Sequence, residues 1–202
     1  GMNSSIPQID FSPFLEGGET EKKQVATQIG KACREIGFFT LTDHGVSLEL
    51  IQRVFDANRE FHQQPLEEKE EILITLSEHH RGYHPFSAEA TDPNAKPDLK
   101  EAFDMALELP LDDPDVKAGK PFHGPNVWPR NPPQFRKTLE EYYQALLLLG
   151  EQICRCFALD LGLDEDYFVD KHSKPLAQLR LLHYPESVSY THLRAHETAK
   201  YL

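Results

Sequence analysis

Cysteine is scarce in this chain. Cys33, Cys154 and Cys156 are the only three in 202 residues. The count is odd and the spacing is not that of metal ligands, which argues against a disulfide framework or a zinc ribbon. Cys154 and Cys156 stand two apart on an expected helix, where their side chains diverge. The expectation is reduced thiols in a cytoplasmic protein. Long apolar runs are also missing, so no segment is expected to span a membrane. No N-terminal stretch joins a basic start to an apolar core, as a secretion signal would. Positive charge is in deficit, with 21 Lys and Arg against 33 Asp and Glu and a net charge of -12. That balance argues against nucleic acid and anionic membrane surfaces as partners, since both call for basic patches. No internal repeat is present. What remains is globular: 39% hydrophobic and 27% charged, long enough for one domain with a real core.

Taken in order, Ile6 to Phe11 alternates apolar and polar with Pro7 near its start, which predicts a short edge strand. Val25, Ile29, Ala32, Cys33 and Ile36 follow helical spacing after Thr20, a possible cap. Gly37 stops that helix. Phe38 to Thr42 then has the aromatic and β-branched composition of a strand buried between two helical faces, and the chain is expected to be organised around it. Asp43-His44-Gly45 is turn chemistry, and Ser47 opens a second helix through Phe61. Pro65 breaks it, and Leu66 to Leu73 reads as a short charged helix. Ser77 to Pro97 loses all periodicity and reads as one long loop. A strand is expected over Lys100–Leu107, irregular chain over Leu109–Asn131, and the longest helix over Pro132–Leu161, where Phe135, Leu139, Tyr142, Leu146, Leu149, Ile153 and Phe157 recur every three or four residues. Gly162 ends it, Asp164 caps a short helix to Val169, and a last strand covers Leu179–Tyr184.

Several short motifs stand along this framework in a familiar order. They are Ile6-Pro7-x-Ile9-Asp10, the Gly37–Gly45 stretch, Pro65-Leu66-Glu67-Glu68-Lys69, Arg81-Gly82-Tyr83, Lys100-Glu101-x-Phe103-Asp104, Gly124-Pro125-Asn126-x-Trp128-Pro129 and Leu179-Arg180-x-x-His183-Tyr184-Pro185. Together they resemble the N-terminal part of the non-haem Fe(II), 2-oxoglutarate-dependent oxygenases of the isopenicillin-N-synthase-like family. The resemblance implies an α+β fold: the helical and strand portion that precedes and begins a double-stranded β-helix, or jelly roll, whose barrel is incomplete here. It implies an oxidoreductase that uses Fe(II), 2-oxoglutarate and O2 to oxidise a small molecule. In such a family two histidines and a carboxylate hold the iron on one face. Tyr184 matches the family tyrosine that hydrogen-bonds the cosubstrate or the substrate, and so is the candidate cofactor-binding residue. Arg81 and Tyr83 match the segment that approaches the substrate, where a guanidinium could hold a carboxylate. His79, His80 and His84 form a loop cluster with no carboxylate at ligand spacing, so no metal ligand is assigned there.

The family's iron ligands follow the Tyr-Pro pair, in the order His-x-Asp, a distant His and Arg-x-Ser. In their place stands Val188-Ser189-Tyr190-Thr191-His192-Leu193-Arg194-Ala195-His196-Glu197-Thr198. That string resembles one reading frame of a sequencing-library adapter. Residues 1–187 are therefore expected to be the incomplete oxygenase region and residues 188–202 a non-native tail. Ala195-His196-Glu197-Thr198 imitates the ligand strand but has Thr198 where the Asp should be. His192 and His196 are four apart, as in a zinc helix, but Leu193 replaces the Glu that a zinc protease needs. No ligand is assigned in the tail, and the chain alone is expected to be inactive, with no iron or 2-oxoglutarate of its own. Two alternatives stand beside this reading: a non-catalytic α/β interaction module, and a metal hydrolase using His192 and His196.

Overall fold

The computed structural model describes residues 5–86, 100–169 and 177–184, with the backbone of 196–201. The chain divides into two compact units, residues 1–48 with 144–173 and residues 49–143 with 174–202.

In the first unit β1 (Gln8–Asp10) pairs in parallel with β2 (Thr40–Thr42), Ile9 opposite Leu41. A parallel pair needs a crossover. Helices α1 (Ser12–Glu16) and α2 (Glu19–Glu35) supply it. Acidic Glu19 and Glu21 sit in the first turn of α2 and Arg34 in its last, matching the helix dipole. The cap is Gly18, whose N–H donates to Glu21 Oε2 at 3.0 Å, rather than the expected Thr20. The apolar stripe of α2 buries Val25, Ile29 and Ala32 against Ile9, Phe11, Phe14 and Cys156. Cys156 belongs to helix α6 (Phe135–Asp160), unbroken as its periodicity predicts. Burial pushes its thiol pKa up to about 12, so it packs as a small apolar group. At Gly30 a Cβ would come within 2.0 Å of Asp160 Oδ2, so the absent side chain leaves room for the Asp160 carboxylate at the end of α6.

Two expectations fail in this unit. Phe38 is 67% exposed and precedes β2, and Thr40 is exposed as well. Among the described residues the sheet here has two strands, so the aromatic run is peripheral and not the buried centre of the chain. The short helix expected after Asp164 is a series of turns over residues 165–168, and Val169, the last described residue of this stretch, is in 3₁₀ conformation.

The second unit is built on an antiparallel sheet in the order β3 (Gly82–His84), β4 (Glu101–Ala106), β5 (Ala177–His183), β6 (His196–Tyr201). All six residues of β4 are buried, which makes it the central strand. Phe61 of helix α3 (Leu48–His62), Phe103 of β4 and Phe135 of α6 meet edge to face or tilted, with ring centroids 4.9–5.8 Å apart. Helix α4 covers only Leu66–Lys69. The helix expected to run to Leu73 continues as 3₁₀ turns at Glu70–Ile72 and Ile74–Leu76. Helix α5 (Pro114–Lys117), capped by Asp113, is one turn inside the stretch expected to be irregular.

Strand β3 lies inside the expected long loop, whose residues 87–97 are outside the described ones. Gly82 opens β3 at φ 125°, where a Cβ would stand 2.3 Å from the Ile72 carbonyl oxygen. No strand was expected in the tail. Its backbone instead forms β6, with Thr198 opposite Arg180 and His196 opposite Leu182. Such pairing uses main-chain groups on an otherwise open edge and asks little of side-chain identity.

Candidate functional site

Alternation divides the β3–β5 sheet into two polar rows. On one face of β4 stand Glu101, Phe103 and Met105, with Tyr83 opposite Phe103 and His183 opposite Glu101. This face packs on the aromatic cluster. On the other stand Ala102, Asp104 and Ala106, with His84 opposite Ala102 and Arg180 opposite Asp104.

The packed face carries a buried ionic cluster at one end. Glu101 accepts from Lys69 Nζ at 2.8 Å, Tyr83 Oη at 2.5 Å and His183 Nδ1 at 3.1 Å. Burial would raise its pKa, but hydrogen bonds from His183, Lys69 and Tyr83 hold it at about 2. Lys69 Nζ also donates to the His62 carbonyl at 2.9 Å. The His62 ring lies parallel to that of His183, centroids 5.1 Å apart, and donates from Nδ1 to the Asn58 carbonyl at 3.0 Å. Its Nε2 has no hydrogen-bond partner among the described residues. Burial pushes the His62 pKa down to about 4. The Tyr83 hydroxyl, buried and bound to a carboxylate, is pushed above the ordinary phenol range.

On the other face Asp104 is buried and accepts from Arg180 Nε at 2.7 Å, Arg180 Nη2 at 2.9 Å and His84 Nε2 at 2.9 Å. Tyr184 follows β5 directly, is half-buried, and by alternation continues the row of Arg180 and Leu182.

The structure separates Arg81 and Tyr83, expected to approach the substrate, from the row of Tyr184. Arg81 is 1% exposed and all three of its nitrogens donate within the chain: Nε to Asn126 Oδ1 at 2.8 Å, Nη1 to the His79 carbonyl at 2.5 Å, and Nη2 to the carbonyls of Leu107, Phe122 and Gly124 at 3.1–3.3 Å. Asn126 clasps β4 in turn, accepting from Ala106 N at 2.9 Å and donating to the Ala106 carbonyl at 2.7 Å. Tyr83 lies fully buried on the packed face. Neither is arranged for the direct substrate contact expected of it. The guanidinium is surrounded by the chain's own carbonyls, and strand alternation turns Tyr83 away from the Tyr184 row.

Glu101, Asp104, Asn126 and Arg180 stood inside the quoted motifs without a role. Their signal was a pair of carboxylates in a strand otherwise composed for full burial, since a buried charge demands a partner. Among the described residues no group of three or more His, Cys, Asp or Glu could hold a metal ion. Asp104, which His84 contacts, has a guanidinium on its carboxylate, the wrong charge for an Fe(II) site, and Glu101 is likewise occupied by the Lys69 ammonium. These residues do not fit iron. His192 lies outside the described residues, and the side chain of His196 is not described.

A family model for the N-terminal region of non-haem dioxygenases in morphine synthesis matches residues 6–131. The chain is 34% identical over 193 residues to a 2-oxoglutarate-dependent dioxygenase of Didymella fabae, covering 92% of this chain and 58% of that protein. It is 35% identical over 182 residues to a 2-oxoglutarate-Fe(II) type oxidoreductase of Emericella nidulans, covering 89% and 52%. Among solved structures, a full-length Neurospora crassa protein crystallised with alpha-KG superposes with a TM-score of 0.76 at 31% identity, covering 92% of this chain and 56% of that one. The same protein has been crystallised with alpha-KG and thymine. The chain spans about half the length of the curated relatives it matches.

Proposed function

The chain belongs to the family of non-haem dioxygenase N-terminal regions, and from that premise we propose that it is the first portion of an oxidoreductase that uses Fe(II), 2-oxoglutarate and O2 to oxidise a small molecule. The observation that carries the proposal is the β3–β5 sheet, with one face packed on helices and the other bearing a polar row that runs toward Tyr184. That is the division a jelly-roll oxygenase needs between its helical support and the side that receives ligands.

In this reading Tyr184 hydrogen-bonds the cosubstrate or the substrate. Arg81 and Tyr83 act through the sheet: Arg81 ties the Gly124–Asn126 loop to the end of β4, and Tyr83 secures Glu101. Iron would supply oxygen activation in a longer protein, through ligands outside the residues described here. Residues 188–202 are foreign to the enzyme in this reading, and the chain by itself is inactive. Among the described residues no helix is long and apolar enough to cross a membrane, and we place the enzyme in the cytoplasm.

The test is a gene product of the relatives' full length, purified without oxygen and supplied with Fe(II) and 2-oxoglutarate. Succinate should form on admission of O2. Tyr184→Phe should weaken binding of 2-oxoglutarate or of the substrate about tenfold, the worth of one hydrogen bond to a charged group. Unchanged binding of both would remove Tyr184 from the site, and absence of succinate would remove the oxygenase reading.

A further inference from the structure

The end of β5 is held in a way that packing alone does not require. The β4–β5 ladder closes at the pair Glu101–His183, so His183 is its last rung and Tyr184 lies one residue past it. Three grips converge on that rung. Asn58 Nδ2 of α3 donates to the Leu182 carbonyl at 3.0 Å. The Glu101 carboxylate accepts from His183 Nδ1 at 3.1 Å. The His62 ring, one turn after Asn58 on α3, stacks on that of His183 with 3° between the planes. Glu101 is held ionised and has no proton to give, so Nδ1 donates to it whether the imidazole is neutral or charged.

The grips are tied to one another. His62 Nδ1 donates to the Asn58 carbonyl at 3.0 Å. Lys69 Nζ donates to the His62 carbonyl at 2.9 Å and to Glu101 at 2.8 Å. Contacts thus run in a closed ring from Asn58 through His62, Lys69, Glu101 and His183 to Leu182, and back to Asn58. This ring is not the most stable filling of its space. Asn58 and His62 are 0% and 3% exposed, but Asn58 Oδ1 and His62 Nε2 have no hydrogen-bond partner among the described residues. Unmatched buried acceptors cost stability, and apolar side chains of similar volume would avoid that cost. What polar groups supply and apolar ones do not is direction, since a hydrogen bond fixes where its partner atom stands.

With Leu182 and His183 fixed, only ψ of His183 and φ of Tyr184 separate the last rung from the Tyr184 Cβ. Alternation sends the Tyr184 side chain to the face opposite His183. We propose that Asn58 and His183 are positioning residues for Tyr184: by fixing the last rung of β5, from α3 and from Glu101, they hold the Tyr184 phenol in one place on the polar side of the sheet. A binding group must stand within about 0.5 Å of its productive place, and a strand end without such grips opens readily. The assignment rests on reading Tyr184 as a residue that binds the cosubstrate or the substrate.

The experiment uses the 202-residue chain with 3-fluorotyrosine in place of its seven tyrosines. It follows the ¹⁹F resonance of Tyr184, identified by its loss in Tyr184→Phe. In the parent chain that resonance should stand apart from that of the amino acid in solution. His183→Phe keeps a ring on His62 but loses the donor to Glu101, and the Tyr184 resonance should move at least halfway to the solution position. His183→Asn loses the ring, but its amide nitrogen can take the place of Nδ1 and donate to Glu101, and the resonance should stay. Packing alone would give the reverse order, since phenylalanine fills the space and asparagine does not. Asn58→Leu, which removes the grip on the Leu182 carbonyl, should act like His183→Phe. Backbone amide spectra of α3 and β4 check the fold of each variant. A parent resonance already at the solution position, a resonance unmoved in folded His183→Phe and Asn58→Leu chains, or one kept in place better by phenylalanine than by asparagine would each overturn the proposal. Ligand binding by Tyr184→Phe in a product of the relatives' full length is a separate readout. Unchanged binding there would strike the role of Tyr184, whereas an unmoved resonance here strikes the positioning alone.

Discussion

Glu101 is the residue on which the second unit depends most. It is 2% exposed and holds Lys69, itself 5% exposed, together with Tyr83 and His183. Glu101→Gln would leave the Lys69 ammonium buried without its counter-charge. Breaking a buried pair from one side costs about 3–5 kcal/mol. Urea denaturation should show that loss, and an unchanged midpoint would mean that the cluster is incidental. His62 governs the acid limb. Its folded pKa of about 4 lies below the ordinary 6.5, so folding favours the neutral ring. Its contribution is fully present above pH 6.5 and is lost as pH falls toward 4, up to roughly 3 kcal/mol. Glu101 extends the limb downward. Its carboxylate contributes fully above 4.5, and that contribution is lost as pH falls through about 2. His62→Phe should flatten stability between pH 6.5 and 4, measured by thermal melts across that range, and an undiminished slope would contradict the assignment. The motifs quoted from the sequence contained Glu101 and Asp104, but pairing across strands decides their partners. Lys69 and His183 are far from Glu101 in sequence, and nothing local links them.

Elements were legible in proportion to their length. Helix α6 repeats its apolar spacing over seven turns' worth of chain, and its ends fall within three residues of the expected ones. Strand β4 was found, but its centrality was not, because a charged residue at either face disguises a fully buried strand. Strand β3 is three residues long and begins with glycine, too little for a period to show. Phe38 and Phe39 misled in the other direction. Their composition suits a buried strand, but a two-stranded sheet leaves Phe38 uncovered. The position of β3 depends on Gly82, whose left-handed backbone and 2.3 Å Cβ clearance to the Ile72 carbonyl admit no side chain. Gly82→Ala should destabilise the chain by about 1–3 kcal/mol or more, the cost of backbone strain plus the clash. Calorimetry would show it, and a neutral Gly82→Ala would mean that β3 can shift freely against the preceding 3₁₀ turn.

At the scale of the whole molecule the sequence carried the family and the structure corrected the site. Motifs in the family's order pointed to the oxygenase N-terminal region, which matches residues 6–131. Which side of the sheet each motif residue faces was not legible, since alternation sends Tyr83 and His84 to opposite faces within one tripeptide. The chain covers 52–58% of the Emericella and Didymella relatives, and its described residues assemble no iron site. The most direct test is an anaerobic Fe(II) titration joined to a succinate assay, run on this chain, on the chain without residues 188–202, and on a product of the relatives' full length. Only the full-length product should bind Fe(II) stoichiometrically and convert 2-oxoglutarate to succinate. Tight iron binding by the 202-residue chain that disappears with the tail would make His192 and His196 true ligands, and a full-length product that forms no succinate would contradict the oxygenase assignment itself.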